Sequence, residues 1–189
     1  MQEDFNQIRN IHFVGIGGIG VSSLAQIMIS KGKNISGSDL NSSEITEQLT
    51  KKGAMIFKGH QESNLARDCE IVIYSHAIPE ENPELKAAKN NNIPCLSYPE
   101  ALGVFSKNYY CSAVSGTHGK STTTAMTALA LTDSEADPTV IVGTKIKEYQ
   151  NQNYRVGESE YLLLEACEYR GAFQNISPNI LVIINIEAE

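Results

Sequence analysis

Along this chain, apolar runs of strand length alternate with segments whose apolar residues recur every three or four positions. That is the pattern of an α/β protein built on parallel strands. "NIHFVGIG" predicts a first buried strand, "GVSSLAQIMISKG" a helix ended by Gly32, and "NISGSD" a second strand. "SSEITEQLTKKG" follows as helix, "AMIF" as a short strand and "CEIVIYS" as another. Asn82-Pro83 offers a cap with proline at the first helical position, leading into the helix "ELKAAKNNN". "PCLSY" returns to the sheet and "PEALGVFSK" makes a last short helix, so a first domain is expected over residues 1–107.

A fresh strand, "YYCSAVS", opens a second unit over residues 108–189 and runs into a glycine loop and the helix "KSTTTAMTALAL". "PTVIVG", "EYLLLEA" and "NILVIINI" predict three more strands, the last so continuously apolar that burial on both faces is expected. A parallel strand at the terminus with no helix behind it predicts a truncated domain. The fold class expected is therefore α/β, a Rossmann-like parallel-sheet domain followed by a truncated α/β domain of the P-loop type.

Charge narrows the partners. Fifteen basic against twenty-two acidic residues leave a net charge of -7, which excludes a broad electrostatic footprint for nucleic acid or anionic lipid. Any phosphate site must be local. Cys69, Cys95, Cys111 and Cys167 show no CxxC spacing and the histidines are scattered, so neither a zinc site nor a disulfide framework is expected. No apolar run approaches the roughly eighteen residues of a spanning helix, so no membrane insertion and a cytoplasmic location are expected.

Two stretches carry candidate chemistry. "GIGGIG" places Gly15, Gly17 and Gly20 in a GxGxxG pattern between a strand and a helix, with Ile16, Gly18 and Ile19 completing the loop. Glycines permit the tight turn and let backbone N–H groups approach a diphosphate, while the helix N-terminus favours negative charge. Asp39 ends the second strand about twenty residues on, where a carboxylate can bond a ribose hydroxyl. NAD, FAD and sugar nucleotides all present a diphosphate, so the motif alone leaves the ligand open. Ser75, His76 and Ala77 follow the fourth strand at the carboxyl edge of the sheet, where ligands of such folds bind.

In "SGTHGKSTTTA", Gly116, Gly119, Lys120 and Ser121 lie between a strand and a helix, although Val114 stands where the usual motif has its first glycine. Amides and the lysine suit phosphates, and the hydroxyl suits Mg²⁺. Glu165 follows three leucines at the end of a buried strand, where its carboxylate can hold the metal directly or through water; Glu168 is its competitor. A dehydrogenase needs one diphosphate site and no such second loop. The tandem points to a diphosphate-bearing substrate used together with ATP.

In this order, "FVGIGGIGVSSLA", "SGSD", "SHAIPEENPEL", "SGTHGKSTTT", "DPTVIVG", "GESEYLLLEACEY" and "NILVIINIEAE" resemble the Mur ligases of peptidoglycan synthesis. Nearly the whole chain takes part in the resemblance, and "SGTHGKSTTT" then matches a shorter GTHGK(S/T) loop that needs no earlier glycine. The resemblance implies an ATP- and Mg²⁺-dependent ligase whose partners are UDP-N-acetylmuramate and L-alanine. It implies that Gly15, Ile16, Gly17, Gly18, Ile19, Gly20, Asp39, Ser75, His76 and Ala77 hold the uridine diphosphate. It further implies that Gly116, Thr117, His118, Gly119, Lys120, Ser121 and Thr122 hold ATP, with Lys120 catalytic and Ser121 and Glu165 on the metal.

The family's carboxylate substrate takes the γ-phosphoryl group, and an amine then displaces phosphate from the acyl phosphate. The chain departs from the family pattern in three places. Thr144 replaces a common glycine, "LTDSEADPT" replaces a more apolar helix end, and Glu189 replaces an aspartate that usually precedes a metal-binding histidine. The family extends further, so a fragment of this length is expected to be inactive alone. Alternatives are a ligase attaching a preformed peptide to UDP-N-acetylmuramate, and a non-catalytic UDP-sugar or nucleotide-binding module.

Overall fold

The computed structural model describes residues 4–187. Its chain divides into two compact units, Met1–Ala101 and Leu102–Glu189.

In the first unit, β1 (Asn10–Val14), β2 (Asn34–Asp39), β3 (Met55–Lys58), β4 (Ile71–Tyr74) and β5 (Cys95–Ser97) form one parallel sheet in the order β3-β2-β1-β4-β5. Chain order reverses at β1, so its carboxyl end opens between β2 and β4, the position where such sheets take ligands. The core is Ile11 and Phe13 of β1, Ile71 and Ile73 of β4, and Leu24, Ile27 and Met28 of α1 (Ile19–Ser30), all with side chains fully buried. Gly32, at φ +77°, ends that helix in the left-handed conformation, as its place in the sequence predicted.

Two caps set the remaining helices. Ser43 and Thr46 exchange side-chain and backbone hydrogen bonds across the start of α2 (Glu44–Lys51). Asn82 Oδ1 accepts from the amides of Glu84 and Leu85 at 2.9 and 3.3 Å, starting α3 (Pro83–Asn90) with proline at its first position. The helix α4 (Tyr98–Ser106) contains the point at which the two units divide.

In the second unit, β6 (Tyr110–Ser115), β7 (Thr139–Ile146), β8 (Gln152–Arg155), β9 (Tyr161–Glu165) and β10 (Ile180–Ile183) form a sheet in the order β10-β6-β9-β7-β8. Four strands are parallel, and β8 runs antiparallel to β7. The hairpin was not expected, because "NQNYR" carries no apolar run; Gln150 and Asn151, both at positive φ, turn the chain back instead. On one face α5 (Lys120–Asp133) packs Ala128 against Val114, Val140, Val142 and Leu163, and its Thr124 is buried as well.

The expectation that "NILVIINI" is buried on both faces is overturned. β10 is an edge strand paired with β6, and its four residues are exposed, Leu181 by 54% and Ile183 by 53%. Apolar content states what a strand can bury; burial also needs an element on each face, and none of the described residues covers β10.

Candidate functional site

The first glycine loop leaves the carboxyl end of β1 and enters α1 within five residues. Gly15 turns the chain at φ +77°, and its amide and that of Ile16 both donate to the Ser38 carbonyl, at 2.9 and 3.0 Å. The Gly17 amide donates to Asp39 Oδ2 at 2.9 Å, so the carboxylate expected at a ribose also holds the loop. A Cβ on Gly17 would sit 2.9 Å from that oxygen, and one on Gly20 would sit 2.9 Å from the Tyr98 ring. Those two positions are glycine because the backbone runs against its neighbours, not because of positive φ.

Gly18 precedes α1 in an extended conformation and provides no side-chain cap, and the first turn carries no acidic residue. The helix therefore presents an uncapped, uncharged start to an incoming anion. Ser75 and Ala77 lie in the turn after β4: the Ser75 amide donates to the Val14 carbonyl at 3.0 Å, and a Cβ on Gly15 would come within 3.1 Å of Ser75 Cβ. His76 is exposed on the same turn. The loop, Asp39 and the Ser75 turn thus converge on one sheet edge, as their order along the chain implied.

The second loop leaves β6 and enters α5. Gly116 and Gly119 adopt φ +146° and +82°, and Gly119 starts the helix without a side-chain cap. Lys120 folds back so that Nζ donates to the carbonyls of Gly116 and Thr117, at 2.6 and 3.2 Å. Its third partner is Glu168, 2.8 Å away at Oε2. Hydrogen bonding from Lys120 in the first place holds the Glu168 carboxyl below its ordinary value.

Ser121 is one residue into the helix, and its Oγ donates to Glu165 Oε1 at 2.9 Å. The other carboxylate oxygen accepts from the Gly143 amide at 2.6 Å. Hydroxyl and carboxylate oxygens are hard donors of the kind Mg²⁺ takes, and a Mg²⁺ bound by few protein groups completes its shell with water and phosphate. Ser121 and Glu165 fit that role as a pair. Among the described residues there is no cluster of three or more His, Cys, Asp or Glu able to hold a metal unaided.

Three residues of the loop environment were not found from sequence. Asn185, just beyond β10, accepts from the His118 amide at 2.9 Å and donates to the His118 carbonyl at 3.0 Å. Glu187 donates its amide to Thr117 Oγ1 at 3.0 Å. Gly143 was hidden in an ordinary strand pattern. The available signal for Asn185 was a lone amide interrupting an apolar run at the carboxyl end of a strand. Thr122, expected in the ATP loop, is exposed on the first turn of α5, and the departure at Glu189 lies outside the described residues.

Beside the loop lies a cavity of about 490 Å³ bordered by Gly116, Thr117, Glu168, Phe173 and Leu181. Ala113 and Ser115 line it, whereas Val114 packs under α5, so it opens on the opposite face of the sheet. Its lining is mostly apolar.

The chain is similar to known proteins in sequence and fold. Residues 10–110 match the sequence profile described as Mur ligase family, catalytic domain. A UDP-N-acetylmuramate–L-alanine ligase of Clostridium botulinum is 45% identical over 192 residues, spanning 100% of this chain and 42% of that protein. The corresponding ligase of Acetivibrio thermocellus is 44% identical over 98% of this chain and 39% of its own length. The chain therefore spans about two fifths of the length of the curated relatives it matches. Among solved structures, the UDP-N-acetylmuramate-alanine ligase of Thermotoga maritima aligns with a TM-score of 0.83 at 34% identity, over 95% of this chain and 42% of that one. A UDP-N-acetylmuramate:L-alanyl-gamma-D-glutamyl-meso-diaminopimelate ligase from Neisseria meningitides shares the fold, with a TM-score of 0.87 at 24% identity over 96% of this chain and 62% of that one.

Proposed function

The chain belongs to the Mur ligase family, and on that premise we propose that it forms the substrate- and ATP-binding part of a ligase joining L-alanine to UDP-N-acetylmuramate. Residues 1–107 are the domain that takes the uridine diphosphate, on Gly15 to Gly20 with Asp39 and the turn Ser75 to Ala77. Residues 108–189 take ATP on Gly116 to Thr122.

The observation that carries the reading is the arrangement around Lys120. An ammonium sits inside a glycine loop at a helix start, and the hydroxyl of the next residue, Ser121, is paired with the Glu165 carboxylate at the end of β9. In the proposed reaction a lactyl carboxylate oxygen of the substrate bonds to the γ-phosphorus, and the bond to the β-bridging oxygen breaks, releasing ADP. The amine of alanine then bonds to the acyl carbon, phosphate leaves and the amine loses a proton. Such steps ask mostly for positioning and charge neutralisation. Lys120 neutralises the β- and γ-oxygens. Mg²⁺, held by Ser121 and Glu165, would supply the remaining positive charge on the phosphates.

A cytoplasmic location follows from the need for ATP, and among the described residues no helix is long and apolar enough to cross a membrane. The test is phosphate release by the protein that carries this chain. Release should require UDP-N-acetylmuramate, Mg²⁺ and L-alanine together. Release indifferent to the amino acid contradicts a ligase, and a requirement for a preformed peptide in place of alanine reassigns the second substrate.

A further inference from the structure

A buried polar cluster lies beneath the first glycine loop, and the proposed reaction does not use it. Glu84 at the start of α3 is 0% exposed. Its Oε2 accepts from Ser38 Oγ at 2.5 Å and lies 3.1 Å from His60 Nδ1, while its Oε1 accepts from Asn64 Nδ2 at 2.6 Å. Nε2 of the wholly buried His12 stands 3.8 Å from Oε1, within ion-pair range, and has no hydrogen-bond partner. Burial pushes the Glu84 carboxyl up, but the His12 imidazole and the hydrogen bonds of Ser38 and Asn64 outweigh it, bringing it from an ordinary 4.5 down to about 2. The group is an anion at neutral pH.

Two chains of contacts run from this anion to the loop. In one, Glu84 fixes the Ser38 hydroxyl, and the Ser38 carbonyl accepts from the amides of Gly15 and Ile16. In the other, Asn64 Nδ2 also donates to the Gly59 carbonyl at 3.0 Å, the Gly59 amide donates to the Asp39 carbonyl at 2.7 Å, and Asp39 Oδ2 receives the Gly17 amide. Three successive amides of the loop are thereby referred to one carboxylate.

We infer that Glu84 is a positioning residue for the diphosphate loop, holding the peptide planes of Gly15 to Gly17 through Ser38 and through the Asn64, Gly59 and Asp39 contacts. The inference rests on the reading that this loop takes a diphosphate. Its sign separates it from plain electrostatics. A fixed anion near a diphosphate repels it, so removing the charge without any effect on geometry would tighten binding. Loss of positioning weakens it. A glutamine at position 84 keeps the shape but turns one acceptor into a donor, facing either Asn64 Nδ2 or the Ser38 and His60 pair.

The experiment is a calorimetric titration of the 189-residue chain with UDP, for the unsubstituted protein, Glu84→Gln, Ser38→Ala and the double variant. Binding of ADP with Mg²⁺ at the second loop serves as the control for folding. Each single variant should weaken UDP binding about tenfold, as for a buried bond to a charged group. Because Ser38 lies on the path from Glu84, the double variant should fall clearly short of the product of the two losses. Unchanged or tighter UDP binding by folded Glu84→Gln overturns the inference, as do losses that multiply in full. Ser38→Ala keeps the carbonyl and removes only the hydroxyl, so unchanged affinity there overturns it even should Glu84→Gln fail to fold. Absence of UDP binding by the unsubstituted chain overturns the diphosphate reading, and the positioning role with it.

Discussion

Ser121 Oγ donates to Glu165 Oε1 at 2.9 Å, joining the first turn of the helix behind the second glycine loop to the end of strand β9. A divalent cation bound by this pair takes the place of the shared proton's attraction. Glu165→Gln should therefore weaken binding of ADP with Mg²⁺ by about tenfold or more while leaving metal-free ADP binding nearly unchanged. Titration of a fluorescent ADP analogue with and without Mg²⁺ measures the difference. Equal loss under both conditions removes Glu165 from the metal.

Gly143 is tied to the same carboxylate. A Cβ there would lie 2.8 Å from both Glu165 oxygens, so Gly143→Ala must shift the carboxylate from its place beside Ser121. The residue's φ is not positive and its surroundings are exposed, so the cost to stability should be small, about 1 kcal/mol or less. Mg²⁺-dependent nucleotide binding should drop nearly as far as in Glu165→Gln, with the thermal midpoint close to that of the parent.

Asn185 holds the His118 peptide from both sides. Asn185→Ala should loosen the loop and weaken ADP binding by about tenfold, the scale of one or two net hydrogen bonds. Asn185→Asp retains the acceptor for the His118 amide but loses the donor to its carbonyl, and should fall between the two. An aspartate variant no better than alanine contradicts the two-sided role.

Glu168 pairs with Lys120 at 2.8 Å, so on the proposed reading it would compete with a bound phosphate for that ammonium. Its carboxyl sits below the ordinary value, so what it contributes to stability is fully present above the unfolded-state value of about 4.5 and fades as pH falls through the lowered folded one. Its side chain is 46% exposed, so that contribution is small and salt-screened. Glu168→Gln should release Lys120 and tighten ADP binding by about two- to fivefold at low ionic strength, with the gain shrinking in high salt. A salt-independent gain, or none, counts against the competition.

Legibility differed by feature for physical reasons. The first sheet and its helices were readable because short apolar runs, Gly32 and the Asn82-Pro83 cap act locally. The places of Gly15, Gly17, Gly119, Lys120 and Ser121 in loops between strand and helix were readable because a glycine loop needs fixed spacing. β8 was not, since a hairpin strand at a sheet edge carries little apolar pattern, and the exposure of β10 depends on what lies beside it. The contacts of Glu84 with Ser38, His60 and Asn64 span 46, 24 and 20 positions, so no local pattern shows them. Asn185 interrupts an apolar run, which marks it as unusual, but its contact with His118 spans 67 positions and no local pattern shows it.

The central claim is that two loops in one chain bind two different nucleotide ligands, and Lys120→Ala tests it most directly. Calorimetry on a folded variant should show ADP binding with Mg²⁺ lost, while UDP-N-acetylmuramate binds within about threefold of the parent, because among the described residues the Lys120 ammonium bonds to the carbonyls of Gly116 and Thr117 and to the Glu168 carboxylate. Equal loss of both ligands would contradict the account.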